Sequence, residues 1–213
     1  QNAINDSDIQ DKSKIASGQV SEIAGGYCMA VGNTDGNEVK IEFAQLQGSK
    51  IYGGYTAKGD ATNNAVTISN SNLTGSELYG GYSKSGGSIS GNTLNLGKNI
   101  TGKLNTIGGF SAINFENIDW EHGGNIIETE NLELVNTDII IKNITGDPKV
   151  NDYMNLIVSD NQIVGSLANQ GEQTVKVSAA QVVKTTTGTI EQEPNIIKFT
   201  IIGSELNPQV GAL

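Results

Sequence analysis

Apolar and polar side chains alternate in short runs along this chain, and the runs return in a fixed order. Val39-Lys40-Ile41, Val66-Thr67-Ile68 and Leu94-Asn95-Leu96 each set one polar residue between two aliphatic ones. That period of two predicts half-buried strands, aliphatic side inward and Lys40, Thr67 and Asn95 outward. Ahead of each run stands a glycine pair before an aromatic. Ile51-Tyr52-Gly53-Gly54-Tyr55 and Leu78-Tyr79-Gly80-Gly81-Tyr82 are the closest copies. Ile23-Ala24-Gly25-Gly26-Tyr27 and Thr106-Ile107-Gly108-Gly109-Phe110 are looser ones. The first glycine falls at 25, 53, 80 and 108, so the steps are 28, 27 and 28 residues. Polar loops over residues 29–37, 56–63 and 83–91 join the two strand signals. Gln45-Leu46-Gln47-Gly48, Asn72-Leu73-Thr74-Gly75 and Asn99-Ile100-Thr101-Gly102 close the units as short corner steps, with a later cousin at Asn143-Ile144-Thr145-Gly146.

A unit of this size holds about six apolar side chains, too few for a core of its own. Stacking solves the problem, because each strand then pairs with its equivalent one unit away and like residues lie on like. The expected columns are Ile23/Ile51/Leu78, Tyr27/Tyr55/Tyr82/Phe110, Val39/Val66/Leu94 and Leu46/Leu73/Ile100. The predicted fold is all-β: a parallel β-helix, a right-handed solenoid with coils of about 27 residues and an irregular C-terminal cap. Leucine-rich repeats are excluded by the missing leucine–asparagine frame, and propeller blades by the short period.

From residue 110 the register changes, with Phe110, Ile113, Phe115, Ile118 and Trp120 following one another without a glycine-rich loop. Strand-like runs then cover 125–128, 132–135, 137–142, 153–158, 162–168, 174–177, 181–184 and 196–202, with a Pro-containing loop at 191–195. The organisation expected is an N-terminal edge or degenerate coil over 1–17, helix repeats over 18–146, and further coils with a hairpin-type cap over 147–213, since an open solenoid edge must be covered.

Composition narrows the chemistry. The net charge is −10 and all 13 basic residues are lysine. An acidic surface without arginine disfavours nucleic acid, nucleotides, anionic membranes and acidic sugars. No apolar run approaches the roughly 18 residues of a membrane helix. The single Cys28 permits no internal disulfide and reads as a small packing residue. Gln1 is not an initiator methionine, so a piece of a longer precursor is expected.

Candidate catalytic and metal groups are sparse. His122, the only histidine, lies in a glycine turn with no Cys or carboxylate cluster nearby, which predicts an exposed turn residue. No Gly-x-Ser-x-Gly elbow occurs. Asp6, Asp8 and Asp11 lack the glycine turn and closing Glu of a calcium loop. The loop Gly32-Asn33-Thr34-Asp35-Gly36-Asn37-Glu38 has lysine-bearing counterparts, Lys58-Gly59-Asp60 and Lys84-Ser85-Gly86, where a metal ladder would repeat its ligands. No catalytic residue, metal or cofactor is therefore assigned. The candidate ligand-contact surface is Tyr52, Tyr79, Lys58, Asp60 and Lys84, on the outer side of the repeat and its loops. Tyr52 and Tyr79 alternate with the inward set and are expected as a two-tyrosine outer strip.

The repeated [Ile/Leu]-Tyr-Gly-Gly-Tyr, Thr62-Asn63-Asn64 with Val66-Thr67-Ile68, the passage from Phe115 to Ile144 and Asp152-Tyr153-Met154-Asn155-Leu156-Ile157 together resemble the passenger domains of bacterial autotransporters, the type V secreted surface proteins. The resemblance covers about residues 18–160. It implies a segment exported through a C-terminal barrel outside this chain and displayed at the Gram-negative cell surface or released. It further implies a monomeric, non-catalytic adhesin or stalk whose partners are host-cell proteins or glycans, or other bacterial cells. The alternative is a polysaccharide-degrading lyase or glycosidase, since such enzymes use the same solenoid. They need clustered carboxylates on one face, and Glu38, Glu42, Asp60 and Glu77 form no repeat-aligned column.

Overall fold

The computed structural model describes residues 8–9, 21–179 and 182–206, and every regular element among them is a strand. The strands stack in parallel as a β-solenoid of about five turns. One face, the glycine face, carries Glu22–Val31, Lys50–Lys58, Glu77–Ser83, Leu104–Gly108, Asn125–Leu132 and Tyr153–Ser159. A second, the alternating face, carries Glu38–Glu42, Ala65–Ser69, Thr93–Leu96, Ala112–Phe115 and Asp138–Ile141. The third is shorter: Ser71–Asn72 pairs with Ile100–Thr101, and later Ile118–Asp119 pairs with Asn143–Thr145. The edge expected over 1–17 lies outside the described residues apart from Asp8–Ile9, which pairs with Lys40–Ile41.

The core is a set of columns. Val39, Val66, Leu94, Ile113 and Ile139 pair in succession, and all five are buried. Ile41, Ile68, Leu96, Phe115 and Ile141 form a second column, and Ile23, Ile51, Leu78, Ile107 and Leu132 a third. Each buried aliphatic side chain stabilises by about 1.5–3 kcal/mol. The columns run unbroken through the point where the sequence register changes. Leu94 pairs with Ile113 because the fourth coil omits the polar loop and turns straight from Gly108 to Ala112.

Two expected columns are corrected here. Gly108 pairs with Tyr79, one position short of the match that the glycine spacing suggested. Gly109 then takes a φ of +72° and turns Phe110 into the core, where it is 1% exposed, so Phe110 does not continue the Tyr27/Tyr55/Tyr82 column. Its ring lies against Gly80, where an added Cβ would sit 2.6 Å from Phe110 Cδ1. Ile100 pairs with Ser71, and so does not sit over Leu73.

The far end is closed by an antiparallel meander of Gly171–Ala179, Val182–Gln192 and Ile196–Leu206. Its first strand adds to Asn143–Thr145 and its last to Tyr153–Ser159, so one sheet bends around the end and covers two open edges. Val175, Val177, Ile190, Ile197, Phe199 and Ile201 seal the bottom of the core. The third edge, Asp138–Ile141, is closed by side chains. Asn169 Oδ1 accepts from Ile139 N–H at 2.9 Å, Gln173 Oε1 accepts from Ile141 N–H at 2.7 Å, and both amide groups donate to the Ile139 carbonyl. The second cap strand runs through the threonine-rich 185–189, beyond the expected 181–184. Residues 162–168 form isolated bridges from Val164 and Leu167, with no strand of their own.

Candidate binding face

Three loops overhang the corner between the glycine and alternating faces, one from each of the first three coils. Thr34–Asp35, Ala61–Thr62 and Ile89–Ser90 pair as a small parallel sheet. Further bonds lock the loops together: Gly32 N–H donates to the Lys58 carbonyl at 2.9 Å, and Gly36 N–H to the Thr62 carbonyl at 3.2 Å. The expected stack of exposed loops is therefore a braced shelf.

An asparagine ladder supports the shelf from inside. Asn64 Oδ1 accepts from the backbone N–H and side-chain amide of Asn37 at 3.0 and 2.9 Å. Asn92 Oδ1 accepts the same pair of bonds from Asn64 at 2.9 and 3.1 Å. Asn64 and Asn92 are buried, and their amides also donate to the Thr34 and Ala61 carbonyls. This ladder explains the glycine pairs. A Cβ at Gly54 would lie 2.5 Å from Asn64 Nδ2, and one at Gly81 would lie 2.6 Å from Asn92 Nδ2. The second glycine makes room for the amide that turns the corner.

On the outer surface beside the shelf, tyrosines form two columns. Tyr27, Tyr55 and Tyr82 stack with centroids 4.5 and 5.5 Å apart, and Tyr52 stacks on Tyr79 at 5.6 Å. The columns meet edge to face, with Tyr52 5.2 Å from Tyr55 and Tyr79 5.4 Å from Tyr82. The sequence reading placed Tyr52 and Tyr79 outside and missed that their neighbours share the face. Strict alternation puts residues three apart on opposite sides, but the pairing register passes over Gly25, Gly53 and Gly80, and so returns the next tyrosine to the same side. Tyr52 is only 5% exposed because other rings surround it. Burial raises the pKa of the Tyr52 and Tyr79 hydroxyls above the ordinary phenol value. Glu22 and then Glu77 add to the shift at Tyr52, and the hydrogen bond that Tyr79 donates to Glu77 Oε1 at 3.0 Å adds to it at Tyr79. Both phenols remain neutral donors at physiological pH.

The remaining candidates separate into two kinds. Lys58 and Lys84 are exposed on the shelf. Asp60 is half-buried and braced: its Oδ1 accepts from Ser88 N–H at 2.8 Å, and its own N–H donates to Asn33. Its carboxylate positions the next loop. Asp35, the acid of the calcium-like loop, accepts from Thr62 Oγ1 at 2.8 Å and from Asn63 Nδ2 at 2.9 Å, and these bonds lower its pKa. Among the described residues no group of three or more His, Cys, Asp or Glu is placed to hold a metal ion. His122 sits in its turn with Nδ1 accepting from Tyr153 N–H at 3.1 Å. That bond uses the lone pair, so the 3.5 Å contact with Asp152 is not an ion pair in this tautomer.

No family model, no curated protein and no solved structure matches this chain.

Proposed function

We propose that this chain is a non-catalytic segment of a surface-displayed or secreted passenger protein. It acts as an adhesin whose loop shelf and tyrosine face meet a host-cell protein or glycan, or another bacterial cell. One observation carries the reading: three braced loops and five tyrosines share one edge of a rigid rod. A solenoid fixes such an edge along its length with no further ordering on binding, which keeps the entropic cost of association low. Tyrosine suits the role, with large area, few rotatable bonds and a polar tip.

Cell-binding and glycan-array assays on the purified chain test this reading. The comparison is a variant in which all three loops are cut back to the turn of the fourth coil, which already closes without a loop. Circular dichroism checks that the variant keeps its strands. Binding by the parent chain and loss in the variant support the adhesin. Equal binding by both removes the shelf from the proposal. Cleavage of a polysaccharide by the parent chain would replace the proposal with the lyase or glycosidase reading.

A further inference from the structure

The tyrosine face carries a chemistry that binding leaves unused. Parallel pairing sets Tyr55 over Tyr27 and Tyr82 over Tyr55 on adjacent strands, about 4.8 Å apart. Tyr27 and Tyr55 are the tightest ring pair of the face, with centroids 4.5 Å apart and planes within 13°. Tyr55 and Tyr82 follow at 5.5 Å and 6°. These three rings are partly open to solvent, whereas Tyr52 is only 5% exposed. Tyr153, the sixth tyrosine, is as exposed as Tyr82, at 37% against 36%, but stands apart from the ladder. Its ring meets His122 edge-on at 5.0 Å and Lys198 Nζ at 5.6 Å. Among the described residues, Glu22–Val31, the strand of Tyr27, pairs with Lys50–Lys58 alone. A terminal strand held on one side opens readily.

We infer that Tyr27 and Tyr55 are a modification site, which a haem peroxidase with hydrogen peroxide joins as a dityrosine that staples the first coil to the second. Each phenol gives up one electron and its O–H proton. The two phenoxyl radicals couple between carbons ortho to oxygen, one from each ring. The two ortho C–H protons then leave and the oxygens are reprotonated, which restores both rings as phenols. The chain loses two hydrogen atoms in all, and one hydrogen peroxide takes them up to give two waters. Partly exposed side chains change rotamer within about picoseconds to nanoseconds, so the rings swing readily from stacked to edge contact. A radical formed first on Tyr52, Tyr79 or Tyr82 reaches the pair through ring contacts of 5.2 to 5.7 Å. The inference goes beyond the adhesin reading and holds equally for a passive stalk.

The test treats the whole chain, dilute, with a haem peroxidase and hydrogen peroxide, and isolates the monomer by size exclusion. Dityrosine fluorescence is expected in that monomer. Cleavage after lysine puts Tyr27 in residues 15–40, Tyr52 and Tyr55 in 51–58, and Tyr79 and Tyr82 in 59–84. Mass spectrometry of the digest therefore reads which rings have joined, and the 15–40/51–58 product, short of two hydrogen atoms, should dominate. Tyr55→Phe keeps the ring and removes the phenol, so this product falls severalfold, while Tyr153→Phe leaves it unchanged. Hydrogen exchange over residues 22–31 should slow severalfold in the joined monomer. Dityrosine confined to oligomers, a digest dominated by Tyr153 or by another pair, the same yield from Tyr55→Phe, or unchanged exchange in the joined monomer each overturns the inference.

Discussion

The first three coils and the two that follow solve the same stacking problem with different corners. In the first three, the chain leaves the glycine face through a long loop and returns over Asn37, Asn64 and Asn92. In the fourth, only residues 109–111 join the two faces, with Gly109 making the turn, and the Phe110 ring fills the inner space. The aliphatic columns are continuous across both regions, so core packing does not require the loops. The loops are additions, held by a buried amide ladder that the bare coils lack.

The largest expected effect lies in that ladder. Asn64→Asp replaces a donor with a second acceptor facing Thr34 O and Asn92 Oδ1, and it buries a charge. An unpaired buried charge costs about 3–5 kcal/mol. A urea midpoint shift of that size is expected, with hydrogen exchange rising first in residues 32–37 and 59–64. A variant as stable as the parent would show that the loops stand without the ladder.

The closing end sharpens the contrast, because there side-chain amides replace a strand. Gln173→Ala leaves the Ile141 N–H and one bond to the Ile139 carbonyl without their partner. The loss is about 1–3 kcal/mol for the orphaned group. Asp138–Ile141 then presents an open edge, so light scattering should grow with protein concentration where the parent stays clear. Asn169→Ala should act in the same direction.

The alternating columns were legible because period-two patterning does not depend on what joins the strands. Val39, Val66 and Leu94 announce their stacking by identity and spacing alone. The asparagine ladder was missed, although Asn37, Asn64 and Asn92 keep the repeat step, because that signal is hidden among the other asparagines. The slip at the fourth coil was not legible. Gly108-Gly109-Phe110 looks like a copy, and only the positive φ at Gly109 decides that its aromatic turns inward. The caps by Asn169 and Gln173 join residues about 30 positions apart with no recurring pattern to reveal them. The tyrosine face was half legible, because the glycine pair shifts alternation by one residue.

A smaller effect, of opposite sign, comes from the corner column Phe43, Asn70 and Asn99. All three have positive φ, at 55°, 48° and 56°. Asparagine tolerates that region, whereas a bulky side chain there is strained. Asn99 Nδ2 donates to Asn70 Oδ1 at 2.8 Å, so the later coils turn strain into a bond. Phe43→Asn is expected to raise stability by about 1 kcal/mol, read from the urea midpoint. An unchanged or lowered midpoint would mean that the Phe43 ring gains more from its surroundings than the backbone loses.

The smallest effect tests the cap with pH. Asp147 accepts from Lys149 and from Lys184 Nζ, the latter at 2.7 Å, and these bonds, Lys149's first, hold its pKa down to about 2. A lowered folded-state pKa means that the ionised form favours the native state. Its contribution is present in full above the ordinary carboxylate value near 3.8 and fades as pH falls toward 2. The group is exposed, so solvent screens the pair and the contribution is small. Asp147→Asn should flatten the fall in stability between pH 4 and pH 2 and leave it unchanged at pH 7 beyond the loss of the pair itself. Asp35 in the loop region also has a lowered pKa, held by neutral Thr62 and Asn63 with no lysine. Salt separates the two regions. Added sodium chloride should move the Asp147 carboxyl titration, followed by carbon-13 NMR, back toward the ordinary value and leave that of Asp35 nearly in place, since screening acts on ion pairs far more than on neutral donors.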